Sequence, residues 1–415
     1  MTFQTGKPMA LPPELEHVRA AARRAIWPIK PADSNTEADR QFLLNAVRTN
    51  AGRKLPPYYL VYFLLVELLG FPNLGRSEKL AWSVPIEFEG VAYLIEHRKF
   101  GIGVFASNGE EWEERSERIV ARIHKAVIAA KPFFRWLADD AVHASKFNVR
   151  NVSIKLFRRY TFFKDEFRKV TSDAQRLREN HESGNQQLEF SFRLYSTKMP
   201  KDASWPEHFE LFAVPWIKRA ENANWFALAA IEAFFGWTEH IFIHLAILQG
   251  QVTTGSEVAK IAEADWSAKY KKAFDISDGA TKRHFDELVV LRRQLRNVMA
   301  HGAFGKESEA FSFHSEAGAV PVALDHTAQK PRFFLTPELA FEDAKAIAAI
   351  EAFISFMWSG PREPAKIYIQ ESELPLILPH ASDGTYRTAM ASKGDMQEYV
   401  DRMTEESDRA ANMDW

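Results

Sequence analysis

From Asn222 to Leu248 the chain is almost continuously apolar at helical spacing, and this one stretch limits the fold more than any other feature. A helix that is apolar on most of its circumference has to be covered on most of its circumference. The character of the sequence changes to match. After Pro206 helix follows helix: Asn222–Leu248, a short one at Ala264–Phe274, a third from about Thr281 to His301, and a last from Ala340 to Trp358. Thr336 and Pro337 suit the start of that last helix as N-cap and first-turn residue, and Gly360-Pro361 stops it. Phe311–His314 and Val320–Leu324 read as a hairpin inserted ahead of it.

Before Pro206 the pattern is mixed. Residues 1–40 are polar and punctuated by proline, with a short Arg/Ala-rich helix at Glu16–Ile26. An apolar helix at Tyr58–Leu69 ends at Gly70. Leu80–Ile86, Val91–His97 and Phe100–Ala106 then partly alternate apolar and polar residues around a Glu89-Gly90 turn, which predicts a small antiparallel meander. Helices are expected at Glu110–Ala130, Pro132–Ser145 and Asn148–Asn180, a strand at Leu188–Tyr195 and a linker at Thr197–Pro206. The last residues offer one extended piece, Lys366–Leu376, and an acidic helix near Met396–Ala410. The expected class is therefore α+β: a polar segment 1–40, a mixed domain 41–200 that senses a trigger or presents a ligand, a helical domain 205–360 and a tail 361–415.

At 415 residues the chain is too long for one ordinary core, which agrees with two domains. Its net charge is −2, so any nucleic-acid surface has to be local. There is no cysteine, which excludes disulfides, thiolate zinc sites and cysteine nucleophiles and fits a reducing, cytoplasmic setting. Tyr58–Leu69 is too short to span a bilayer and is interrupted by Glu67, and the N-terminus lacks the apolar core of a signal peptide, so no membrane association is expected.

The helix ending at His301 carries the chemistry. Phe285, Leu288, Leu291, Leu295 and Val298 form one apolar stripe, and Arg296, Asn297 and His301 lie off it. Asn297 and His301 are four apart and share a face, whereas Arg296 and His301 stand about 140° apart on an ideal helix. They converge on one phosphate only if the helix ends or distorts between them, or if a second subunit completes the site; Gly302 offers an ending. A fixed guanidinium stabilises the charge of a phosphorane-like transition state, an imidazole moves protons near neutrality, and an amide orients its neighbour. Together they can cut RNA by 2′-hydroxyl attack with neither metal nor cofactor. The plainer reading is a helix C-terminus at which Arg296 and His301 merely satisfy the helix dipole.

With Arg296, Asn297 and His301 flanked by Leu295 and Gly302, the segment resembles the HEPN superfamily (higher eukaryotes and prokaryotes nucleotide-binding domains). The resemblance extends over 205–360, taking in the apolar helix with Glu232, Asp265-Trp266 with Lys269, the hairpin and the last helix. It implies an all-helical bundle with an inserted β-hairpin that forms a homodimer across a cleft. It also implies a metal-independent endoribonuclease leaving a 2′,3′-cyclic phosphate, in toxin–antitoxin or antiphage systems, with a regulatory protein partner. Ala303 stands where one subgroup carries the tyrosine that is nucleotidylated, which puts that control in doubt. The alternative is a non-catalytic bundle of the same type that binds RNA or a protein.

Four further groups stand out. Glu232 and Glu239 are seven apart on one helix face, and Glu232 is a candidate partner for Arg296, or else a surface carboxylate. His240 and His244 are four apart, a spacing that can hold a metal, but no supporting ligand pattern accompanies them and two accommodated histidines explain it as well. Between Lys146 and Arg178 ten basic residues face three acidic ones, interleaved with Phe157, Tyr160, Phe162, Phe163 and Phe167. Arg158, Arg159, Lys164 and Arg168 are the RNA-binding candidates there, against the plainer reading of a basic helix that buries its aromatic stripe. Glu96 with Lys99, near Glu87 and Glu89, faintly resembles the carboxylate–lysine element of metal-dependent nucleases.

Overall fold

The computed structural model describes residues 8–33, 46–106, 110–183, 215–301, 312–315, 318–321 and 343–413. The chain divides into two compact units, Met1–Phe147 with Asp401–Trp415, and Asn148–Val400. Helices dominate, and one five-stranded antiparallel sheet makes the class α+β.

The first unit is built on that sheet. Its helix α1 (Glu16–Ile26) buries Val18, Ala22 and Ile26 at helical spacing, so residues 16–26 belong to the core of this unit rather than to a polar arm. Strands β1 (Lys30–Pro31), β2 (Val47–Arg48), β3 (Leu80–Phe88), β4 (Val91–Arg98) and β5 (Gly101–Ala106) run in the order β1-β3-β4-β5-β2. The expected meander is therefore its centre, with two short edge strands added. Trp82, Val84, Ile86 and Phe88 alternate onto one face, against α1, the helical turns Tyr58–Tyr62 and Phe63–Leu68, and α3 (Glu110–Ala129), with α2 taken as Tyr58–Tyr62. Gly52 allows the 3-10 turn Ala51–Lys54 to press on β5: a Cβ there would fall 2.3 Å from the backbone nitrogen of Val104. Helix α4 (Lys131–His143) completes this unit's described helices before residue 147.

The second unit begins with β6 (Asn148–Val149), which pairs with β9 (Leu376–Ile377). Between them lie α5 (Ser153–Glu182), α6 (Pro215–Leu248), α7 (Gly255–Glu263), α8 (Trp266–Ala273), α9 (Gly279–His301), the hairpin β7 (Ser312–Ser315)–β8 (Gly318–Pro321) and α10 (Asp343–Met357). The hairpin falls where the sequence places it, and α10 matches the described part of the expected last helix. Helix α6 is the hub. Phe234, Trp237, Ile241, Phe242 and Leu245 are fully buried, and α5, α8, α9 and α10 all pack on it. By length and composition Trp216–Leu248, unlike the shorter Tyr58–Leu69, could cross a membrane; 56% of its apolar window is buried inside the fold.

Two expectations about organisation are corrected. The division falls at Phe147/Asn148 and not near residue 200, because α5 turns its aromatic stripe onto α6: Phe157 meets Trp237 at 4.7 Å and Tyr160 meets Phe234 at 6.0 Å. Residues 361–400 are no tail. Glu363–Lys366 starts with a proline in its first turn, continues into the wide turn Ile367–Glu371 where an extended segment is expected, and Asn151 Nδ2 donates to the carbonyls of Ile369 (3.0 Å) and Ser372 (3.2 Å). Tyr368, Tyr386 and Tyr399 pack their rings 5.8–5.9 Å apart, edge-on or tilted, over this end, the last from α11 (Lys393–Asn412). The expected strand 188–195, the linker 197–206 and the Thr336-Pro337 helix start lie outside the described residues.

Candidate functional site

Helix α9 is held at both its start and its flank. Asp278 Oδ2 accepts from the backbone N–H and the hydroxyl of Thr281, both at 2.8 Å, which caps the helix and holds the Asp278 carboxyl below its ordinary pKa. The hydroxyl of Tyr270, on α8, donates to the Thr281 carbonyl at 3.0 Å. Leu288, Leu291 and Leu295 are buried on the inner face, as the periodicity requires. The side chain of Val298 lies outside the described set.

The strongest polar fixture beside α9 involves Glu239, not Glu232. Glu239 on α6 accepts from Lys269 Nζ (3.0 Å) and from Arg292 Nη2 (3.0 Å). The Lys269 side chain is only 7% exposed, so its charge depends on that carboxylate. The Arg292 guanidinium also lies over the rings of Trp266 (5.8 Å) and Phe235 (6.0 Å). The sequence signal for this cluster is the seven-residue spacing of Glu232 and Glu239; periodicity cannot say which carboxylate meets a cation, and Arg292 carries no signal of its own.

Helix α9 runs antiparallel to α6. Phe285 meets Tyr270, which packs on Phe242, while Arg292 reaches back to Phe235 and Glu239. The turn after Arg292 carries Arg296, and it heads along α6 towards the turn that carries Glu232. Both Arg296 and Glu232 are exposed, and the two are not hydrogen-bonded. The helix continues without a break from Gly279 to His301, so neither an ending nor a distortion separates Arg296 from His301, and their angular separation of about 140° stands. Asn297 and His301 lie in its last two turns; their side chains, and Gly302 and Ala303, are outside the described residues.

His244 is buried and His240 partly buried, held by the fold rather than simply accommodated. Their ring centroids lie 4.0 Å apart, the planes tilted by 39°. His240 Nε2 accepts the backbone N–H of Val152 at 3.1 Å, and His244 Nδ1 faces the His240 carbonyl at 2.8 Å. Those partners place both protons on Nδ1 and leave both rings neutral. Burial pushes His240 down to about 3, helped by its neighbour, and His244 down to about 4 against the pull of the His240 and Arg150 backbone. Among the described residues no group of three His, Asp or Glu side chains is arranged to hold a metal.

Of the four basic candidates on α5, two are occupied. Lys164 and Arg168 both reach Glu351 on α10, at 3.3 and 2.7 Å. Arg158 and Arg159 remain exposed. The plainer reading of this helix holds for Phe157, Tyr160 and Phe167, which turn inward, and fails for Phe162, which is 58% exposed. In the first unit Glu96 accepts from Ser83 Oγ (2.8 Å) and Arg98 Nε (2.6 Å), bonds that keep it buried in the sheet. Glu87 sits opposite Ala92 and pairs with Lys30, four strand positions from the Ser83–Glu96 pair, about 13 Å away. Those two carboxylates do not share a site, and Lys99 is bonded to Asn412.

No family model, curated protein or solved structure matches this chain.

Proposed function

We propose that the second unit is a metal-independent endoribonuclease of the HEPN type, with Arg296 as the phosphate clamp, His301 as acid or base, and Asn297 and Glu232 as orienting groups. One observation carries the reading: Arg296, Asn297 and His301 occupy the last two turns of a single unbroken helix whose inner face is anchored by Leu288, Leu291 and Leu295. Such anchoring lets a bundle present functional groups without losing their geometry. His301 takes the 2′-hydroxyl proton or protonates the leaving 5′-oxygen, while the guanidinium neutralises charge on the non-bridging oxygens. One copy of the helix directs Arg296 and His301 about 140° apart, so the reaction needs two copies, with Arg296 of one beside His301 of the other. A homodimer is thus part of the proposal, as are an RNA substrate and a role in a toxin or antiphage system under a regulatory partner.

The same angular separation favours a second reading, a bundle that binds RNA or protein without cutting, if the chain stays monomeric. RNA cleavage in EDTA by wild type, Arg296→Ala and His301→Ala, with product ends analysed and mass measured by light scattering, separates the two. Cyclic-phosphate ends from a dimer, abolished in both variants, are expected. A well-folded dimeric wild type that binds RNA and leaves it intact sinks the ribonuclease reading.

A further inference from the structure

The outer face of the first half of α5 holds Lys155, Arg158, Arg159 and Phe162, spaced three and four apart and therefore aligned in one stripe. All four are exposed. Further along the helix each cation has a carboxylate: Lys164 and Arg168 share Glu351, Arg176 takes Asp173 and Arg178 takes Glu182. Lys155, Arg158 and Arg159, and Arg150 just ahead of the helix, have no carboxylate partner among the described residues. Phe162 stands edge-on to Phe163 at 5.3 Å, and the Arg159 guanidinium lies 6.0 Å over the Phe163 ring. At its start the stripe opens into a cleft of 380 Å³ lined by Arg150, Asn151, Lys155, Ser372 and Glu373.

A row of unpaired cations is held at low energy only in water or against an anion, and an exposed phenyl ring gains by stacking. The spacing matters as well. Lys155 lies one turn, about 5–6 Å, from Arg158 and Arg159, close to the phosphate spacing of a single strand, and Phe162 stands one turn further on at the height of a base. Paired bases of a duplex are not available to such a ring. One ring is also too little apolar surface for a membrane-binding helix, which buries a broad face.

We propose that this stripe binds single-stranded RNA, with Lys155, Arg158 and Arg159 against consecutive phosphates, Phe162 under an unpaired base, and the backbone entering past Arg150 at the cleft. The proposal deepens the ribonuclease reading and rests on RNA being the ligand: it gives the enzyme a place to hold substrate apart from the α9 site.

The test uses the full chain carrying His301→Ala, so that RNA is held uncut. Anisotropy of a labelled, unstructured RNA of about 30 nucleotides is measured in EDTA between about 50 and 200 mM salt. Lys155→Glu/Arg158→Glu/Arg159→Glu should bind more weakly, and its dependence of log affinity on log salt should be shallower by about 2, from three phosphates at about 0.7 each. Across that salt range wild-type stripe affinity then falls about 20-fold more than that of the variant. Phe162→Ala should weaken binding by about five- to hundredfold with the salt slope unchanged. Both variants alter exposed positions, and circular dichroism confirms their fold. Unchanged affinity and slope in both variants overturn the proposal, as does a stripe-dependent preference for anionic vesicles or an acidic peptide over RNA. The two readings fail separately. RNA that binds through the stripe but is never cut by the protein with His301 intact removes the ribonuclease and leaves this surface. His301-dependent cleavage with stripe-independent binding does the reverse.

Discussion

Acidification should loosen the second unit through His240 and His244, by an amount that can be worked out in advance. Both rings are neutral in the fold, His240 with a pKa of about 3 and His244 of about 4, whereas each titrates near 6.5 once the chain unfolds. A folded pKa below the unfolded one means that the unfolded chain binds more protons, so stability falls as the pH drops below about 6.5 and levels off only near the folded values. At pH 5 each histidine is 1.5 pH units below its unfolded pKa, and at about 1.4 kcal/mol per unit it contributes a loss of about 2 kcal/mol. The pair together therefore costs about 4 kcal/mol, a large share of a domain's stability. At that pH both folded values are already well out of range, so the figure depends on the unfolded pKa and hardly on how far burial shifts the rings. The variant His240→Gln/His244→Asn keeps an acceptor for the Val152 N–H and a donor for the His240 carbonyl, yet has nothing to titrate. Urea unfolding of both proteins at pH 7.5 and pH 5 measures the effect. The wild type should lose about 4 kcal/mol more than the variant between those two values. Equal losses in the two proteins would refute the assignment of both histidines as neutral in the fold.

Asp343 should act in the opposite sense: burial raises its pKa to about 7 despite the hydrogen bond from Asn224, so the folded state keeps a proton that the unfolded state has lost and stability declines as pH rises towards 7. Asp343→Asn should therefore gain on wild type by about 2–3 kcal/mol between pH 5 and pH 8 in the same unfolding assay, and a constant difference across that range would count against it. Lys269→Ala should destabilise the unit by about 1–3 kcal/mol by leaving Glu239 to Arg292 alone, with part of the loss recovered in Lys269→Met/Glu239→Gln; a thermal midpoint unmoved by Lys269→Ala would show that the buried ion pair contributes nothing.

What was legible in the sequence follows the range of the interactions concerned. The apolar stripe of α9 at Leu288, Leu291 and Leu295, the N-terminal helix at Glu16–Ile26, the central strands and the hairpin all depend on spacings of two to four residues, which a sequence displays directly. Lys366–Leu376 misled because Ile367, Tyr368 and Ile369 favour a strand locally, while a first-turn proline and the Asn151 amide, more than two hundred residues away, favour a turn of helix.

By itself the sequence determined the long helices, the apolar faces of those helices, and that Arg296, Asn297 and His301 share the end of one of them. Only the tertiary structure decided that α5 belongs with α6, that Glu239 and not Glu232 takes the cations of α8 and α9, and that Glu351 occupies Lys164 and Arg168 while leaving Arg158 and Arg159 open. The reason is physical. Periodicity sets the face on which a charge lies, but its partner depends on how far one helix is displaced along another, and that displacement is set by the fit of side chains such as Trp237 and Trp266 across the whole core.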